Sequence, residues 1–185
     1  IEEKIISAIM HSSSTADYVK IVAHVEKNVS NESDDIIVES LKNQKGEFSM
    51  SKVPSNLSAA QAQELINTLL TGPTIGNDER AIMMILESLS ASKYKEVVDA
   101  ITPKKLDKGL DGYWWDRFLA VTAMRYPKSE NLGIQLIHSE KNDDAARLLV
   151  KWMLDKNDVL PIDWIRVIEA LLSGSTGDAD ENAIL

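Results

Sequence analysis

Apolar residues recur along this chain at intervals of three and four. Leu65, Ile66, Leu69 and Leu70 mark one side of a helix, and Val167, Ile168, Leu171 and Leu172 mark another. Nowhere does a Val/Ile/Thr-rich run alternate between turn residues, so strands are not expected. The pattern predicts helices over residues 2–11, 16–29, 33–43, 58–71, 78–90, 93–101, 103–110, 113–125, 130–139, 142–155, 161–172 and 179–185. Two starts carry their own signals: Ser58 with Gln61 forms a capping box, and Thr102 reads as an N-cap ahead of Pro103 at the first helical position. Short helices cannot bury an apolar face alone, so the fold class is all-α, a stack of short helices as in helical repeats. The polar, turn-rich stretch around Gly46 and Pro54 reads as a linker. The expected organisation is a first helical unit over 1–45 (a degenerate repeat), a linker over 46–57, a repeat over 58–126, and further helices opening another repeat over 127–185.

Internal similarity supports the repeat reading. The segment Leu69–Met83 aligns without a gap on Leu171–Leu185, an offset of 102 residues (171 − 69), with eight of fifteen positions identical. The matches are both leucines, a glycine, a threonine, the Asp-Glu pair and Ala-Ile. A degenerate third copy is read between Ile5 and Val22.

Each copy runs from an amphipathic helix through a Gly-containing loop into Asp-Glu and a second apolar helix, and so resembles the annexin repeat. The likeness continues through Ile82–Leu86, the short helix Ser92–Ile101, and the run Leu106–Leu119 with its Gly112, aromatic and acidic positions. It covers residues 62–124 well and only the opening of a repeat in 164–185. Gly174–Glu181 looks closest to annexin-like repeats of large bacterial secreted or injection-system-associated toxins. The resemblance implies an annexin-like helical-repeat array. It also implies a calcium site built from the carbonyls of Gly72, Thr74 and Gly76 with the carboxylate of Asp116, 40 residues on (116 − 76). Oxygen-rich flexible sites of this kind suit calcium. Pro73 and Asn77 depart from the family's loop, and Asp116 lies one residue further past Gly112 than the family spacing. A structural reading of the same residues stands beside it. Glycine permits the positive φ that follows a helix, Asn77 or Asp178 caps the next helix, and Asp-Glu complements its dipole.

Charge and composition narrow the partners. Hydrophobic residues are 44% and charged residues 26%, an ordinary globular balance. The net charge of −9, with no Lys/Arg stripe, excludes nucleic acid as the expected partner and suits cations or basic surfaces. The absence of cysteine excludes disulfides and thiolate metal sites. No apolar run reaches the roughly 20 residues that cross a bilayer. His11, His24 and His138 lie on separate helices with no ligand partner at i+4, so they read as surface histidines and not as a zinc site. Tyr113, Trp114, Trp115 and Phe118, with Trp152 and Trp164, fit membrane-interface anchors or a partner hot spot, but helical spacing favours packing between helices.

No nucleophile, phosphate-loop or metalloprotease motif is present. The expectation is therefore a non-catalytic interaction or scaffolding module without a cofactor, excised from a larger protein. A secreted or peripheral-membrane setting is favoured over the cytoplasm, and the partner is a protein or an anionic membrane. The alternatives are calcium-dependent binding to anionic phospholipid, or a fragment of an enzyme whose active site lies elsewhere.

Overall fold

The computed structural model describes residues 14–28, 33–71, 74, 76–126, 131–156 and 164–173. Among them are ten α-helices: α1 (Thr15–Asn28), α2 (Ser33–Ser40), α3 (Ala59–Leu69), α4 (Gly76–Ser88), α5 (Ala91–Ile101), α6 (Pro103–Gly109), α7 (Gly112–Arg125), α8 (Leu132–Glu140), α9 (Asp143–Lys156) and α10 (Trp164–Ser173). The fold is all-α, and the only strand-like feature among the described residues is one isolated antiparallel bridge between Lys42 and Phe48. The helices expected over 2–11 and 179–185 lie outside the described residues, as do the loop of the second copy and the first half of the third.

Local chemistry sets the helix starts. The Ser58 hydroxyl accepts from the Gln61 amide at 3.2 Å while the Gln61 side chain accepts from the Ser58 N–H at 2.9 Å, so the capping box forms as read. Ser90 caps α5 through the Lys93 amide. Pro103 opens α6 and Thr102 stands at its N-cap position, as read, but the Thr102 side chain makes no cap bond and its backbone stands at φ 75°, ψ 138°. Thr102 has to close α5, donating to the Val98 carbonyl, and at once reverse the chain into α6, so the backbone takes the kink instead.

The chain divides into two compact units, Ile1–Leu110 and Asp111–Leu185. The boundary thus falls inside the 58–126 repeat and not in the expected linker. Residues 46–57 are built into the first unit. Val53 and Leu57 are buried, the Thr15 hydroxyl donates to the Ser55 carbonyl at 2.6 Å, and the Lys93 ammonium donates to the Leu57 carbonyl at 2.7 Å. Of the four large apolar side chains in this stretch, Phe48, Met50, Val53 and Leu57, burial of Val53 and Leu57 anchors it.

In the first unit α3 is central, packing against α1, α2, α4 and α5, with α6 against α5. Leu65, Ile66, Ile82, Ile85 and Tyr94 are fully enclosed there. Tyr18 and Ser40 clip α1 to α2 by a buried hydroxyl–hydroxyl bond, and the Ser40 hydroxyl donates to the Ile37 carbonyl at 2.7 Å. In the second unit α7 packs against α8 and α9, and α10 against α8 and α9. The approach of α8 to α7 is close because Gly133 has no side chain: a Cβ there would stand 2.1 Å from the Ala123 nitrogen. Asn131 holds the same junction, accepting from the Ile134 amide at 3.0 Å and donating to the Ala123 carbonyl at 2.7 Å.

Candidate functional site

The four residues of the expected calcium site divide between the units: Gly72, Thr74 and Gly76 belong to the first, Asp116 to the second. Gly72 lies outside the described residues. Thr74 is half-buried and approaches the end of α6, where a Cβ added at Gly109 would meet its hydroxyl at 3.4 Å. Gly76 is exposed and is already the first residue of α4. Its carbonyl therefore accepts from the N–H four residues on, along the helix axis. Asn77, read as a cap, sits one position inside the helix, because α4 begins ahead of it. The Asp78 and Glu79 side chains do lie in the first turn, where an acid meets the positive end of the helix dipole. Both are also buried, 6% and 5% exposed, which the sequence pattern alone did not indicate.

Asp116 is half-buried on α7, and its Oδ1 accepts from the Asn142 side-chain amide at 2.9 Å. Asn142 is the node of this part of the unit. Its N–H donates to the Ile137 carbonyl at 3.0 Å, closing α8 beyond Lys141, which stands in the left-handed region at φ 53°. Its Oδ1 accepts from the Ala145 amide at 2.9 Å and so caps α9. One residue thereby ends one helix through its backbone, and through its side chain starts the next and holds a carboxylate of a third.

Burial pushes the Asp116 carboxyl above its ordinary value, and the nearby Asp144 and Asp143 add to this, while the Asn142 bond and Arg147 oppose it. Arg147 is itself engaged by both acids, at 2.7 Å to Asp144 and 3.0 Å to Asp143. Among the described residues no group of three or more His, Asp or Glu is placed to hold a metal ion.

The aromatic group is mostly inside. Trp115 and Phe118 are buried and stacked with ring centroids 5.1 Å apart, and the Trp115 indole donates to Glu140 at 2.9 Å. Trp114 is half-buried and Tyr113 exposed, its hydroxyl accepting from Arg117 at 3.1 Å. Trp152 is also half-buried, with the Arg117 guanidinium 5.1 Å over its ring. His138 is exposed and meets Glu169 at 2.8 Å, joining α8 to α10; His24 is exposed on α1, and His11 lies outside the described residues.

The node at Asn142 was missed at the sequence level. An Asn directly before Asp-Asp is an N-cap signal that could have been read. The reach to Asp116, 26 residues away, has no local signature. Comparison of the chain with protein-family models, with curated proteins and with solved structures finds no match.

Proposed function

We propose that the chain is a non-catalytic helical interaction and scaffolding module, of the kind that the likeness to annexin-like repeats of secreted toxins implies. The observation that carries this reading is how the polar side chains are used. Asn131, Asn142, Ser58 with Gln61, and the Tyr18–Ser40 pair all bond helix ends or one helix to another. Asp78 and Glu79 of the shared motif are enclosed at a helix start and do not face solvent. Side chains so used give a stiff stack, which suits a surface that must keep its shape when a partner docks. No helix among the described residues is long and apolar enough to cross a membrane.

A second reading, calcium-dependent attachment to anionic phospholipid, draws on Asp116. Its carboxylate is desolvated beside two further acids against one Arg147, a balance that a divalent cation would relieve. In that reading Asp116 supplies a carboxylate and lipid phosphate oxygens complete the shell. Sedimentation with anionic vesicles, at calcium from zero to about 10⁻³ M, separates the two. The scaffold reading expects no calcium-dependent vesicle association. Calcium-dependent association that disappears in Asp116→Ala would overturn it in favour of the second reading.

A further inference from the structure

The aromatic residues of the second unit are used in two ways. Trp115 and Phe118 fill its interior, and the Trp115 indole N–H already has its acceptor in Glu140. Tyr113, Trp114 and Trp152 stay at the surface, Tyr113 55% exposed and the two tryptophans half-buried. These three form a single patch. The Tyr113 and Trp114 rings meet edge to face with centroids 5.2 Å apart. The Arg117 guanidinium donates to the Tyr113 hydroxyl at 3.1 Å and lies 5.1 Å over the Trp152 ring. Packing of α7 on α9 brings Trp152 to the others. Tyrosine, tryptophan and arginine are the residue types that carry most of the energy of protein docking surfaces.

The polar atoms of the patch state what it accepts. An indole N–H and a guanidinium only donate. Neither the Trp114 nor the Trp152 N–H has an acceptor among the described residues, and neither nitrogen is sealed from solvent. Flat apolar rings that offer donors are complemented by a flat apolar chain rich in acceptors and poor in N–H groups. A proline-rich segment has that chemistry. Its prolines carry no N–H, its carbonyls make no internal hydrogen bonds in the polyproline II conformation, and its preformed shape docks on aromatic surfaces at small entropic cost. A lipid headgroup layer also offers acceptors, but the net charge of −9 opposes an anionic one. We propose that Tyr113, Trp114, Arg117 and Trp152 form the docking surface for a proline-rich polyproline II segment of a partner protein. The proposal rests on the scaffold reading and names the chemistry of its partner.

The test follows the indole N–H resonances of the ¹⁵N-labelled chain during titration with capped octaproline to about 5 mM, which nearly saturates a site with Kd of about 1 mM. The Trp114 and Trp152 resonances should move saturably, while Trp115, bonded to Glu140, should not. Tyr113→Ala, at an exposed position, should weaken binding at least about fivefold. Trp114→Phe, which keeps a ring and removes a donor, should weaken it too. An unchanged Trp115 resonance shows that each variant is folded. Resonances that do not move with octaproline overturn the proposal, as does an equal response to a capped Gly-Ser octapeptide. Movement on anionic vesicles and not with octaproline overturns it in favour of a membrane surface. Failure with octaproline leaves the scaffold reading standing, since that reading falls only to calcium-dependent association lost in Asp116→Ala.

Discussion

Substituting alanine for glycine at three helical positions should give three different results, and the geometry fixes their order. At Gly133 the new Cβ would stand 2.1 Å from the Ala123 nitrogen, 2.6 Å from its Cα and 2.7 Å from the Leu119 carbonyl oxygen. All three are backbone atoms of α7, so no rotamer change can make room, and α8 must move outward by more than an ångström to reach ordinary contact. That shift stretches the 2.7 Å bond from Asn131 to the Ala123 carbonyl, which is buried. Overpacking costs about 1–3 kcal/mol, and an unmade buried hydrogen bond costs about as much again. Against this, alanine gains at most about 1 kcal/mol over glycine in a helix. The net expectation is a loss of about 1–4 kcal/mol. Gly76, by contrast, is exposed with nothing within 4 Å of the added atom, so the same substitution should be neutral or slightly stabilising. Gly109 falls between, since its obstacle is the far end of the Leu70 side chain, which can rotate. Urea unfolding followed by circular dichroism measures all three. A Gly133→Ala protein as stable as wild type, or one more stable than Gly76→Ala, would refute the close packing of α7 on α8.

Three further outcomes are expected. Because the fold raises the Asp116 pKa, folded protein holds that proton more tightly than unfolded protein. Its contribution therefore falls as pH rises from the ordinary carboxylate range through the raised value, and stays lost at neutral pH. Asp116→Asn keeps an acceptor for Asn142 and should be more stable than wild type at pH 7, with the advantage shrinking on acidification; thermal melts across that range check it. Tyr18 is raised to about 12 by burial, so stability should fall as pH rises through 10 towards 12, and Tyr18→Phe should flatten that fall while costing about 1 kcal/mol at neutral pH for the lost bond to Ser40. Lys141→Gly removes a side chain from a left-handed position and should stabilise by about 1 kcal/mol, read as a higher Tm.

The helices were legible because their cause is local. An apolar period of three to four and a Ser–Gln box fix α3 wherever the chain goes afterwards, and the structure starts α3 at Ala59 just behind that box. The errors lie where one residue serves two neighbours. Thr102 has the composition of a cap, but it also terminates α5, and the second duty sets its backbone. The 46–57 stretch has the composition of a linker, but Val53 and Leu57 tie it into the first unit.

The candidate site failed to be legible for the same reason on a longer scale. Spacing in sequence brought Asp116 to notice, but what the carboxylate does depends on Asn142, and Asn142 reaches it only because α7 and α9 pack together. The acid is held in place by the side-chain amide that also caps α9, on a residue whose backbone N–H closes α8, so its position is over-determined by helix geometry while its charge is disfavoured. A purely architectural residue at this position would be better as asparagine, which offers Asn142 the same acceptor without the desolvation or the repulsion from Asp143 and Asp144. The vesicle and Asp116→Asn experiments therefore bear on each other. If the neutral side chain stabilises the fold and nothing that calcium or lipid does depends on the acid, Asp116 is architectural at a cost in stability. If calcium-dependent association is lost with the acid, the same cost is the electrostatic strain that a bound cation would relieve.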